Sequence, residues 1–133
     1  MRSIDRYGYV FARVMLAAIF LLTGYDKLFD VGDAAGDIAH VGLPLPTLLA
    51  VVAGLVELVC GAVLALCRST AWAAAGLLVC LVPVTVLMEN PLSADADFGT
   101  SIGFLKNLAV MGGLLMVVLA EHSAAGRSRC RRS

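Results

Sequence analysis

One carboxylate, Glu57, stands in the middle of an apolar run from Leu45 to Leu66 that carries no other charge. An acidic group so placed can pair with a buried cation, hold and release a proton, or shape a pocket for a polar headgroup. At about 1.5 Å of rise per residue, these 22 residues span roughly 33 Å, against about 30 Å for the hydrocarbon core of a bilayer. Glu57 then lies near the membrane midplane, where an ionised side chain is costly unless it finds a partner. Arg13 in the first apolar run and Lys106 in the last are the leading candidates. The expected arrangement is one buried polar cluster of Arg13, Glu57 and Lys106, with Asn107, Lys27 and Asp26 at its outer end. In the competing arrangement Arg13 and Lys106 snorkel to opposite interfaces and leave Glu57 protonated or bonded to backbone.

Other reactive residues invite less chemistry. Cys60, Cys67, Cys80 and Cys130 form no C-x-x-C pair, no haem-attachment motif and no zinc spacing. Cys60 and Cys67 are about 10 Å apart along a helix axis, too far for a disulfide. Cys60 and Cys80 sit inside apolar runs, where a free thiol acts as a small hydrophobe. Asp30, Asp33, Asp37 and His40 could gather a divalent cation, but a solvated face is the commoner explanation, so no metal site is expected. No cofactor is evident either, since paired intramembrane histidines, a dinucleotide fingerprint and cluster-binding cysteines are all missing. A quinone remains compatible, because it needs only an apolar slot and two or three polar groups.

The elements that must position these residues follow from composition. Sixty per cent of the 133 residues are hydrophobic and 15% charged, with a mean hydropathy of +0.91. A soluble chain of this length cannot bury that much apolar surface. The runs 9–28, 45–66, 71–88 and 102–120 account for it as four membrane spans, followed by a basic tail over 121–133. The expected fold is all-α: a single domain over 1–133 built as a four-transmembrane-helix bundle. Membrane lipid is its medium and nucleic acid is excluded as a partner. Phe29, Ala34, Ile38 and Val41 recur at helical spacing, so residues 30–41 predict a short amphipathic surface helix. Gly42-Leu43-Pro44-Leu45-Pro46 then breaks it and opens the second span, and Pro83 should kink the third. Ala50, Gly54, Gly61 and Ala65, with Ala109, Gly112 and Gly113, supply flat faces for close helix contact.

Charge is balanced overall but unevenly distributed. Arg2, Arg6, Arg68, Arg127, Arg129, Arg131 and Arg132 mark the N-terminus, the second loop and the tail. Asp30, Asp33, Asp37, Glu89, Asp95 and Asp97 mark the first and third loops. The positive-inside rule places both termini in the cytoplasm of a multi-pass protein of the cytoplasmic membrane. The first run has the basic start and apolar stretch of a signal peptide. Arg13 interrupts it and no A-x-A site follows, so cleavage is not expected.

Four motifs in order, Gly24-Tyr25-Asp26-Lys27-Leu28, Gly42-Leu43-Pro44-Leu45-Pro46, Glu57-Leu58 with Gly61, and Lys106-Asn107-Leu108-Ala109 with Gly112-Gly113, resemble the DoxX family of small bacterial membrane proteins. Within that pattern Gly24, Gly42, Pro44, Pro46, Gly61 and Gly112 are motif positions. The family often has histidine after the third span, where this chain has Met88-Glu89-Asn90-Pro91. The resemblance implies thiol and oxidative-stress chemistry at the membrane. Relatives include a thiosulfate:quinone oxidoreductase subunit, a methylamine dehydrogenase maturation protein, and mycobacterial partners of superoxide dismutase and a sulfurtransferase. Three roles follow from it. The first is a membrane subunit that anchors or assembles a redox complex with a soluble or membrane oxidoreductase. The second is a quinone-interacting subunit, and the third a proton or small-solute carrier using Glu57. A homo-oligomer is compatible with each.

Overall fold

The computed structural model describes residues 3–66, 70–94 and 96–130. The expectations for Arg2, Cys67, Arg68, Asp95, Arg131 and Arg132 fall outside the described residues. Five helices make up the chain: α1 (Ser3–Phe29), α2 (Val31–His40), α3 (Pro46–Leu66), α4 (Ala71–Met88) and α5 (Phe98–Cys130). All but α2 are long and apolar enough to cross a membrane. Side chains that a soluble protein would hide face outward on each of them, including Leu22, Val59, Val79 and Leu105, all exposed by more than half. With hydrocarbon as the solvent there is nothing to hide them from.

Short-range chemistry sets the helix boundaries. Asp30 accepts the Asp33 amide at 3.2 Å and caps α2 at its start. Gly42, at φ +78°, closes its end. The Gly42 amide donates to the Ala39 carbonyl at 2.9 Å and the Leu43 amide to Ile38 at 3.4 Å, the paired closure that a left-handed glycine permits. Pro46 starts α3, where no amide donor is needed, and α4 runs from Ala71 to Met88 with Pro83 inside it. Asp97 starts α5 by accepting the Thr100 amide and hydroxyl, each at 2.8 Å. The amide bond above all, then the hydroxyl, holds the Asp97 carboxyl below its ordinary range. That cap begins α5 at Phe98, ahead of the expected start at 102. The helix also continues to Cys130, so the expected tail from 121 extends α5.

α3 sits in the middle, packed on α1, α2 and α4, while α4 packs on α5 and α1 touches α5 lightly. α1 and α3 run antiparallel and meet through glycine. A Cβ on Gly24 would lie 2.9 Å from both the Gly54 carbonyl oxygen and the Leu58 amide nitrogen. A Cβ on Gly54 would lie 2.9 Å from Leu28. Gly61 continues this seam against Phe20. On α5 the expected small-residue face is narrower than its spacing suggests. Gly113 packs on Leu16, but a Cβ on Gly112 would meet nothing within 4 Å, and Ala109 is exposed.

Midway along the bundle Ala17, Phe20, Leu64, Ala74, Leu77, Leu114 and Val117 close an apolar core. It separates two polar zones, one toward the end that carries α2 and one toward the far end.

Candidate functional site

The zone at the α2 end is organised by Glu57, 7% exposed on α3. Lys27 Nζ donates to both Glu57 oxygens at 2.9 Å, and Thr23 Oγ1 donates to Oε2 at 2.8 Å. Thr23 and Lys27 lie one turn apart on α1, flanking Gly24, so the close seam delivers both donors to one carboxylate. Helix geometry explains the choice of cation. Side chains lean toward the N-terminus of their own helix. In an antiparallel pair Glu57 therefore leans toward the α2 end while Lys27 leans back to meet it.

Arg13 leans in the same direction as Lys27, but from a point already past Glu57, so it leans away and the structure does not bring it into the Glu57 cluster. Its Nε donates to the Leu64 carbonyl at 2.8 Å. Leu64 is seven residues beyond Glu57, about 10 Å further along α3. The guanidinium also lies over the Tyr9 ring, 5.7 Å from its centroid. The expected single cluster is thus two, and an apolar layer of the bundle divides them. Asp26 is exposed on α1 and does not line the Glu57 cavity.

Lys106 and Asn107 do approach Glu57, as lining residues of the same cavity of about 160 Å³ between α1, α3, α4 and α5. Lys106 is exposed at its rim, whereas Asn107 is 9% exposed. The Asn107 carboxamide lines the cavity and can offer it both a donor and an acceptor. Phe20, Leu81, Val84 and Val110 supply apolar walls. Glu89 completes the polar lining, its carboxylate lying so close over Gly103 that a Cβ there would overlap it. Two ammonium and two carboxylate groups make the lining neutral in sum, which suits an uncharged headgroup. Among the described residues no three His, Cys, Asp or Glu side chains group closely enough to hold a metal ion.

Sequence reasoning missed Thr23, Glu89 and the far-end clamp. At that end Glu121 of α5 accepts the Thr70 amide (2.8 and 2.9 Å), the Thr70 hydroxyl and the Ala71 amide (2.8 Å). One carboxylate thereby caps the start of α4 from another helix, where the helix dipole favours negative charge. The lean of Glu121 toward its own N-terminus was the available signal. Replacing Glu121 by Ala should cost about 0.5–2 kcal/mol, the range for a lost N-cap. Hydrogen exchange should then quicken at the Thr70 and Ala71 amides, with partial recovery in Glu121→Gln.

Four apolar spanning helices around a buried ion pair define an integral membrane protein with an all-α bundle fold. Residues 8–90, more than half of the chain, match the family model of DoxX, and the chain belongs to the DoxX family. No curated protein matches the sequence. No solved structure matches it.

Proposed function

We propose that this chain is a membrane subunit that anchors or assembles a redox complex at the cytoplasmic membrane, and that the Glu57 cavity is its working site for a quinone headgroup. The observation that supports this is the Lys27–Glu57 pair inside a cavity of about 160 Å³. Ionisable residues held within membrane spans are rare and costly, and mark functional sites by default. A quinone ring asks for apolar walls and donors for its carbonyl oxygens. Val84, Leu81 and Phe20 offer the first, and the Asn107 amide and Lys106 the second. Lys27, Thr23 and Glu57 hold one another in place, so their donors and acceptors are pre-positioned. A quinone, when bound, supplies the electron-accepting chemistry, while the chain binds and orients the headgroup and keeps protons close by. The apolar core below the cavity gives the carrier reading less support, since a proton or solute would have to cross that layer.

Purification in mild detergent, with co-purifying proteins and extracted quinone identified in one sample, tests the reading. Near-stoichiometric quinone, lost in Glu57→Gln, is the expected result. An oxidoreductase without quinone leaves the anchoring role alone, and neither one overturns the proposal.

Orientation belongs to the same proposal: termini in the cytoplasm, α2 and the 89–97 segment outside. Single cysteines placed at Asp33 and Asp97 in a Cys-free background should react with an impermeant maleimide in intact cells, while Cys130 alone stays unlabelled. The opposite pattern reverses the topology.

A further inference from the structure

On the other side of the α3–α4 contact lies a second hollow, of about 260 Å³. Its lining is wholly apolar: Ala53 and Val56 of α3, Cys80, Pro83 and Leu87 of α4, and others of the same kind. Ile38 and Leu43 roof it at the α2 end, the same two residues that the Gly42 closure joins. Val84 lines both this groove and the charged cavity, so one side chain partitions the two.

Size connects them. Small-molecule sites usually hold about 300–1,000 Å³, more than the charged cavity offers by itself. A ligand whose ring fills that cavity must place its remaining bulk beyond it, and the adjoining hollow accepts nothing polar. The groove lies along the spanning parts of α3 and α4, where the surrounding medium is hydrocarbon. The occupant that fits is therefore an alkyl or isoprenoid chain attached to the headgroup.

We propose that the α2–α3–α4 groove holds the hydrocarbon tail of the amphipathic ligand whose headgroup occupies the Glu57 cavity, and that this ligand enters sideways from the membrane past Val84. The proposal rests on the quinone reading above and adds the route and the ligand class: membrane-dissolved quinones whose tail adds to the binding of the headgroup. α2 then has a task as the roof that keeps the tail in register.

The test uses the full chain in mild detergent with a benzoquinone carrying a photoreactive diazirine at the end of a decyl tail. After illumination, labelled peptides are mapped. Labelling should concentrate at groove residues of α3 and α4, fall at least fivefold in Ala53→Phe, whose ring would occupy the groove, and be displaced by unlabelled tailed quinone. Folding of the variant is checked by its retained binding of a tail-less benzoquinone, followed by equilibrium dialysis. Label spread over every lipid-facing surface, Trp72 included, overturns the groove while tail-less binding leaves the headgroup reading standing. Displacement of the label equally well by phospholipid makes the groove an ordinary lipid contact and also overturns it. If neither quinone binds the wild-type chain, the headgroup reading falls and the groove proposal with it.

Discussion

Replacing Lys27 by Met should destabilise the protein by about 3 kcal/mol, because it strands the Glu57 carboxylate in the bundle without its cation. Removing one member of a buried ion pair typically costs about 3–5 kcal/mol. The lower figure applies because the Lys27 side chain is 26% exposed and some solvation offsets the loss. Glu57→Leu should cost a similar amount by stranding Lys27. The double replacement Lys27→Met with Glu57→Leu should recover most of the loss, since an apolar pair of like volume is often as stable as the ion pair. A coupling of at least about 2 kcal/mol across this cycle is the expected result. Quinone retention should vanish in all three variants, and in Glu57→Gln, which keeps hydrogen-bonding groups but not the charge. Unfolding in detergent titrated with SDS, beside quinone extraction, separates the two effects. A Lys27→Met protein as stable as wild type would show that the pair contributes little to holding α1 on α3.

Gly24→Val should be the most damaging change that removes no charged group. Any Cβ at this position lies within 2.9 Å of backbone atoms of α3, which cannot rotate aside. Overpacking a tight contact costs about 1–3 kcal/mol, and the second branch of valine places the expected loss at the upper end. The damage should reach the site, because Thr23 and Lys27 are carried by the same stretch of α1 and donate to Glu57 only at this separation. Gly112→Val is the matched control. It is equally a motif glycine, but a Cβ there meets nothing within 4 Å, so stability should change by less than about 0.5 kcal/mol. Equal losses in both variants would mean that the α1–α3 seam does not govern the response, since valine forms helix slightly better than glycine and propensity alone would give no loss.

Much of this protein is legible in its residues because the bilayer is a simple solvent. Four apolar runs of spanning length leave few alternatives to a helical bundle, since every backbone amide in lipid must be satisfied within its own helix. The surface helix α2, its glycine stop and the proline start of α3 are local matters, decided by a few neighbouring residues. Glu57 was conspicuous for the same reason, as a charge that lipid cannot solvate. Its partner was not legible from depth alone. Arg13 and Lys106 looked equally eligible along the membrane normal, but pairing depends on which face of each helix meets which and on which way each side chain leans. The Gly24–Gly54 contact decided the first and the antiparallel order of α1 and α3 the second, and together they gave Glu57 to Lys27 and Thr23. Glu121 and Glu89 were hidden likewise. Each directly follows an apolar run, where a charge reads as ordinary, until tertiary packing lays one across the start of α4 and the other over Gly103. The helices are written in hydropathy and most of their ends in nearest-neighbour chemistry, whereas the cavity exists only between helices and so was settled by their packing.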